Sequence, residues 1–318
     1  MTTCQEQRGW DSLAFALEVV AENAGIAIDH DDLCALMGLP WLGCAVPHGE
    51  DMSRWSMHAR DAFLIEAGRL FGMQIREIHP PRAARGLDRA AEFDQHFDAS
   101  YRPLILRALE HHQPVLAWQG WQGDRSLSWG LIHEKCADGV GFRGATYWSA
   151  SERACDAIVP LVRPPTQVYI VERITPSVAQ GESILDASLE HARAAFRNEL
   201  ADRCGLVTGT AAWNEWIARF QNGKADDGSE QCAASIRASL ECGLRFLARY
   251  HGRAPAHGAH AVETLERESQ QMLRALEGFC RPTPSPRTRD ERLDQLRRAR
   301  DAAARAGEAL ARRSGPRP

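Results

Sequence analysis

The feature that most constrains this chain is a change of periodicity at Pro176. Before it, helical segments give way to short period-two stretches; after it, the pattern is helical only. The order is helices, then strands, then helices. That order predicts an α+β fold whose helices pack on an antiparallel sheet, followed by an all-α half, and excludes an alternating βαβ fold. The first helix starts after Asp11, a candidate N-cap, with Leu13, Ala16, Leu17, Val20 and Ala24 at helical spacing. A short helix follows through Met37, residues 38–49 read as a loop, and residues 56–71 read as a third helix. Met73 to Ile78 alternates like an edge strand. Pro114–Trp118, Leu127–Cys136, Val140–Gly144, Ala157–Val162 and Gln167–Ile174 read as further strands, the second and third forming a hairpin. Ser183–Arg203, Gly209–Phe220, Ser229–Tyr250 and Ala261–Phe279 then show period 3.6, with Ile236, Leu240, Leu244 and Leu247 in one row. The predicted organisation is a mixed domain over 1–175, a helical domain over 176–280, and a Pro-rich linker with a basic helical tail over 281–318.

Charge supports treating that tail separately. The chain of 318 residues carries a net charge of −4, yet residues 281–318 hold eleven Arg against five acidic residues. Interleaved Asp and Glu permit i,i+4 pairing with Arg, so a solvent-facing or partner-docking helix is expected rather than a nucleic-acid arm. Only Lys135 and Lys224 are lysines. The nine cysteines are scattered, without CxxC spacing or a neighbouring His, and read as reduced, buried thiols with no zinc site. The polar first ten residues contain no apolar signal core, and no apolar run has spanning length. The expectation is a cytoplasmic protein without a membrane partner, and nothing in the sequence fixes an oligomeric state. No Gly-rich phosphate loop is present, and no cofactor is expected.

The residues with chemical potential lie at the start of the first helix and on a late strand. Gln7-Arg8-Gly9-Trp10-Asp11-Ser12-Leu13-Ala14 places a Gln in a loop ahead of a helix start. Trp129-Gly130-Leu131-Ile132-His133-Glu134, followed by Asp138-Gly139-Val140, places aromatic and His residues on the strand after Pro114-Val115-Leu116-Ala117-Trp118. This layout resembles papain-like cysteine peptidases, with the bacteriocin-leader-processing branch closest. The resemblance implies a nucleophile at the helix N-terminus, where the dipole lowers a thiol pKa. It implies a His at the start of the late strand as base, and the Gln as oxyanion donor. Ser12 stands at the nucleophile position and Trp129 at the base position. Gln7 stands at the oxyanion position, one residue short of the family spacing. His133, four residues beyond Trp129, is roughly 13 Å further along a strand.

A second resemblance, to the N-terminal domain of butirosin biosynthesis protein H, covers more of the chain. Gly209-Thr210-Ala211-Ala212-Trp213-Asn214-Glu215-Trp216 and Ser239–Leu247 look like two elements of its helical relatives, with Trp213 where Tyr is usual. That likeness implies an acyltransferase acting with a carrier protein.

Three functions remain open from sequence. One is a catalytically dead papain-like module that binds a peptide or small ligand, with Trp118, Trp129 and His133 lining the cleft. Another is an acyltransferase or amide hydrolase using Ser12 or Cys4. The third is a structural or partner-binding protein, in which Trp118, Trp121, Trp129, Trp148, Trp213 and Trp216 pack between halves. Ser12 is otherwise a hydroxyl bonded within its own helical turn. His133 is otherwise an ordinary sheet histidine that cannot touch Glu134 on the opposite face. His111-His112 and Asp94, His96 and Asp98 read as solvated rather than metal-binding.

Overall fold

The computed structural model describes residues 11–43, 52, 55, 60–78, 94, 96–122, 128–137, 141–146, 158–175, 181–200, 206–224, 228–250, 256–280 and 289–313. The chain divides into two compact units, residues 1–30 with 64–179, and residues 31–63 with 180–318.

The first unit is α+β. Its helices are α1 (Ser12–Asn23), α4 (Leu64–Leu70) and α5 (Arg102–Glu110). Its strands are β1 (Met73–Glu77), β2 (Val115–Trp118), β3 (Trp129–Lys135), β4 (Phe142–Thr146), β5 (Val159–Pro160) and β6 (Gln167–Ile174). They form one antiparallel sheet in the order β1-β6-β2-β3-β4-β5. β1 lies on an edge, as its alternation and the flanking prolines predict. The central strands are buried on both faces, and period two sorts them. Val115, Ala117, Ile132, Val168 and Ile170 join Ile105 and Ala108 of α5 in one core. Leu116, Trp129, Leu131, Tyr169 and Val171 point the other way and are buried too. α1 packs on β3 and α4 on β1. A helix on each face satisfies the apolar demand of a two-sided sheet.

Two glycines shape the sheet. The Trp121 indole lies against Gly130 of β3 and Gly144 of β4; a Cβ at those positions would stand 2.7 and 2.9 Å from its ring. Trp121 is 1% exposed, and its backbone bridges Leu161. The hairpin β3–β4 thus leaves a groove in its own side-chain layer that only Gly provides.

The second unit contains α2 (His30–Leu36, whose first residue closes the opening segment of the other unit), α3 (Leu39–Leu42), α6 (Gly181–Phe196), α7 (Gly209–Gln221), α8 (Ser229–Tyr250), α9 (Ala256–Cys280) and α10 (Arg289–Arg313). Residues 31–63 group with these helices although the sequence reading assigns them to the mixed domain. The cause is anchoring. The Trp41 Nε1–H donates to Ser188 Oγ at 3.2 Å, Ser188 donates to the Ala35 carbonyl at 3.1 Å, and Phe63 stacks on His191 with centroids 4.0 Å apart. Asp31 accepts two bonds from Arg245, at 2.8 and 3.0 Å, and Asp32 accepts from Tyr250 at 3.0 Å. Leu39–Leu42, expected as loop, is a helical turn because Pro40 suits its first positions and Gly38 supplies a φ of 71° ahead of it. The third predicted helix, 56–71, is helical only over 64–70 among the described residues.

The basic C-terminal helix is packed rather than solvent-facing. Ala299, Ala302, Ala303 and Ala306 are fully buried, and Leu296 with them. Short side chains on one stripe let α10 lie close against α9, α7 and α6. Arg292 sits over the Phe279 ring at 4.2 Å, and Arg289 donates to the Phe220 carbonyl. The tryptophans expected to pack between halves have ring partners inside their own units. Trp118 meets Trp129, while Trp213 stacks on Trp216 at 5.4 Å and Trp216 meets Trp55 and Phe279. Trp148 lies outside the described residues. No described helix is long and apolar enough to cross a membrane.

Gly144→Ala forces a methyl against Trp121 and the β3 backbone. Denaturant unfolding should show a loss of about 1–3 kcal/mol, the range for over-packing. Ala in place of Gly25, around which no atom lies within 4 Å, should act only through its φ of 72°.

Candidate functional site

α1 begins on Asp11, whose Oδ1 accepts from the amides of Leu13 and Ala14 at 3.1 and 2.9 Å. This is an N-cap in extended conformation. Two free amides of the first turn are therefore spent on a buried carboxylate, and its negative charge offsets the positive helix end. Ser12 follows at the first helical position. Its hydroxyl does not bond the first turn of its own helix, the ordinary role for a serine there. It accepts the Trp129 amide hydrogen at 2.9 Å. The start of α1 and the start of β3 thus converge.

Trp129 opens β3 directly opposite Trp118 on β2, and Tyr169 lies on the neighbouring β6. The Trp129 ring is 5.6 Å from Trp118 and 5.8 Å from Tyr169, centroid to centroid. Trp129 and Tyr169 are each 3% exposed, whereas Trp118 is half-buried. The base position of the resemblance is thus occupied by an indole locked in an aromatic row. Among the described residues, no histidine hydrogen-bonds Ser12. Tyr169 is the member of the row that sequence reasoning missed; the signal was the period-two register of Gln167–Ile174.

His133 is exposed and lies at a β-bulge. Ile132 pairs with Gly144 and Glu134 with Arg143, so one β3 residue has no partner of its own. The bulge breaks the simple period-two alternation at this point of β3. Glu134 stands opposite Arg143, which faces away from Gly144, and its charge acts on the imidazole. Although the residue is exposed overall, partial desolvation of its imidazole lowers the His133 pKa below the ordinary value, with Glu134 opposing. Glu134 pairs with Arg143 at 3.4 Å and makes no hydrogen bond that would orient the imidazole. His133 is therefore not brought to Ser12, nor into the Trp118–Trp129–Tyr169 row. Gln7 and Cys4 lie outside the described residues.

Elsewhere in this unit, Glu18 of α1 is buried and meets His30 Nδ1 at 3.0 Å. His96 lies edge-on to Tyr101, and Asp98 pairs with Arg102 at 3.1 Å, so the Asp94–His96–Asp98 stretch does not converge on a point. Among the described residues, no three potential metal ligands cluster.

No family model matches the chain, and no curated protein sequence matches it.

Ser12→Ala removes the acceptor of the Trp129 amide. Unless water replaces it, the orphaned donor should cost about 1–3 kcal/mol in denaturant unfolding, and Ser12→Thr should restore part of it. The lowered His133 pKa carries its own pH signature. The folded state resists protonation, so stability present above about pH 6.5 should decline as pH falls from there through the lower folded value. His133→Gln should flatten the stability–pH curve in that interval; an unchanged slope would show that the imidazole feels no burial.

Proposed function

We propose that the first unit is a papain-like module with its catalytic pair replaced, and that it binds a peptide or small ligand instead of cleaving it. The observation that carries this reading is the Trp129 amide bonded to the Ser12 hydroxyl. A serine nucleophile must pass its proton to a base as it attacks. Beside Ser12 stands an amide donor, and the side chain of that same residue is an indole, which takes no proton. The Asp11 cap adds a second obstacle: an oxyanion or thiolate at position 12 would form next to a carboxylate and find two helix amides already engaged.

Binding is the function such a surface retains. Trp118 offers a half-exposed aromatic face beside the buried Trp129 and Tyr169, close to a helix start and the head of a strand. Flat aromatic surface next to polar backbone suits an extended peptide, the arm of a carrier protein, or a small ring-bearing ligand. In this reading the all-α C-terminal half is an accessory domain, and the protein works in the cytoplasm.

Chemical labelling tests the loss of catalysis. A serine-reactive fluorophosphonate should leave Ser12 unmodified in the folded protein. Ser12→Cys should gain no cleavage of peptide or amide substrates, and its thiol should alkylate with a midpoint at or above about pH 8.5, the ordinary thiol value. A Ser12 adduct that disappears on denaturation, or a strongly acidic thiol in the Ser12→Cys variant, would sink the proposal. An array of extended peptides tests the binding half: peptides retained by the protein should be lost by Trp118→Ala.

A further inference from the structure

An open groove of about 450 Å³ runs along the α9–α10 seam in the helical unit. We propose that it is a binding site for a small phosphorylated molecule, held by the guanidinium groups of Arg274, Arg298 and Arg305. This inference is independent of the reading of Ser12 and Trp129.

Its architecture follows from the helix pairing. Arg305 of α10 reaches back to α9, donating to Glu268 Oε2 at 2.9 Å and Gln271 Oε1 at 2.8 Å. Glu268 is 1% exposed, a buried carboxylate that fixes the guanidinium at one end of the groove. A buried acid in a helix interface is costly unless paired, and here the pairing positions a cation whose remaining N–H groups are available. Gln295 of α10 packs against Gly278 of α9, where a Cβ would stand 3.0 Å from its side chain. Those two contacts set the antiparallel register, and the register brings Arg274 and Arg298 to the same level, between the two ends. Both line the groove and both are exposed.

The charge around them is not balanced. Asp301 also lines the groove, but it and the other acidic groups within helical reach have basic partners of their own. Asp301 takes two bonds from Arg300, Asp294 pairs with Arg297, and Glu277 faces Arg237. Among the described residues, Arg274 and Arg298 have no ion pair. Two like charges held at one level of a groove, with a third anchored beyond them, favour an anion between them. The planar guanidinium fork matches phosphate oxygens, and Gln271 supplies an amide for the neutral part of a ligand. The volume suits a small molecule rather than a macromolecule. The sequence reading, which takes the basic tail as a solvated or docking face, does not foresee this, because the site needs Arg274 from α9.

Inorganic pyrophosphate is the probe, titrated into the full chain by calorimetry at fixed ionic strength. Saturable binding with about one site is expected, weakening at least tenfold in Arg274→Gln/Arg298→Gln. Arg297→Gln, which removes an Arg paired with Asp294 outside the groove, should bind as the unaltered protein does. Circular dichroism checks that the double variant stays helical. If it does not, the same comparison is made with Arg298→Ala alone, an exposed change. No saturable binding by the unaltered chain, or equal binding by the groove variants, overturns the proposal.

Discussion

The Ser12 hydroxyl takes the Trp129 amide hydrogen at 2.9 Å, and that bond ties the first turn of α1 to the first residue of β3. The N-terminus of the helix cannot move away from the sheet without exposing or orphaning a strand-end amide. Asp11 closes the same end by capping its own helix. Between them these two side chains use the polar capacity of the helix start for structure. A helix end that is to serve chemistry must instead leave amides and dipole free. The aromatic row of Trp118, Trp129 and Tyr169 completes the arrangement by filling the strand side with apolar rings.

The helical unit is organised by a different constraint, the width of the α10 stripe. Alanines at 299, 302, 303 and 306 permit close helix approach, and the long Arg side chains flanking them settle on aromatic faces and carbonyls. Arg292 over Phe279 and Arg289 at Phe220 are cations used for packing. The close approach that Ala allows leaves Arg274 of α9 and Arg298 of α10 lining the same groove along the seam.

Element boundaries were legible where periodicity was long. Ser229–Tyr250 has the limits read from its apolar row, and β6 follows Gln167–Ile174. The antiparallel hairpin was visible in its turn residues. Asp11 as cap was visible too, because an acid before an apolar helical row has a local physical role. Legibility failed where partners are distant in sequence. Residues 31–63 read as part of the mixed domain until Trp41 finds Ser188. The bulge at His133 depends on how β4 pairs, which β3 alone does not reveal. At the candidate site, the sequence named Ser12 and Trp129 but not the bond between them, nor Tyr169.

The sequence by itself determined the helix–strand–helix order, the presence of short strands before Pro176 and the identity of the side chains at the helix and strand starts, because periodicity and residue chemistry are local properties. Tertiary structure alone decided that Ser12 bonds a strand amide, that the basic C-terminal helix is packed, and which arginines share a groove. Those outcomes depend on register between segments more than a hundred residues apart, or across a helix pair, and register is set by packing rather than by any local pattern.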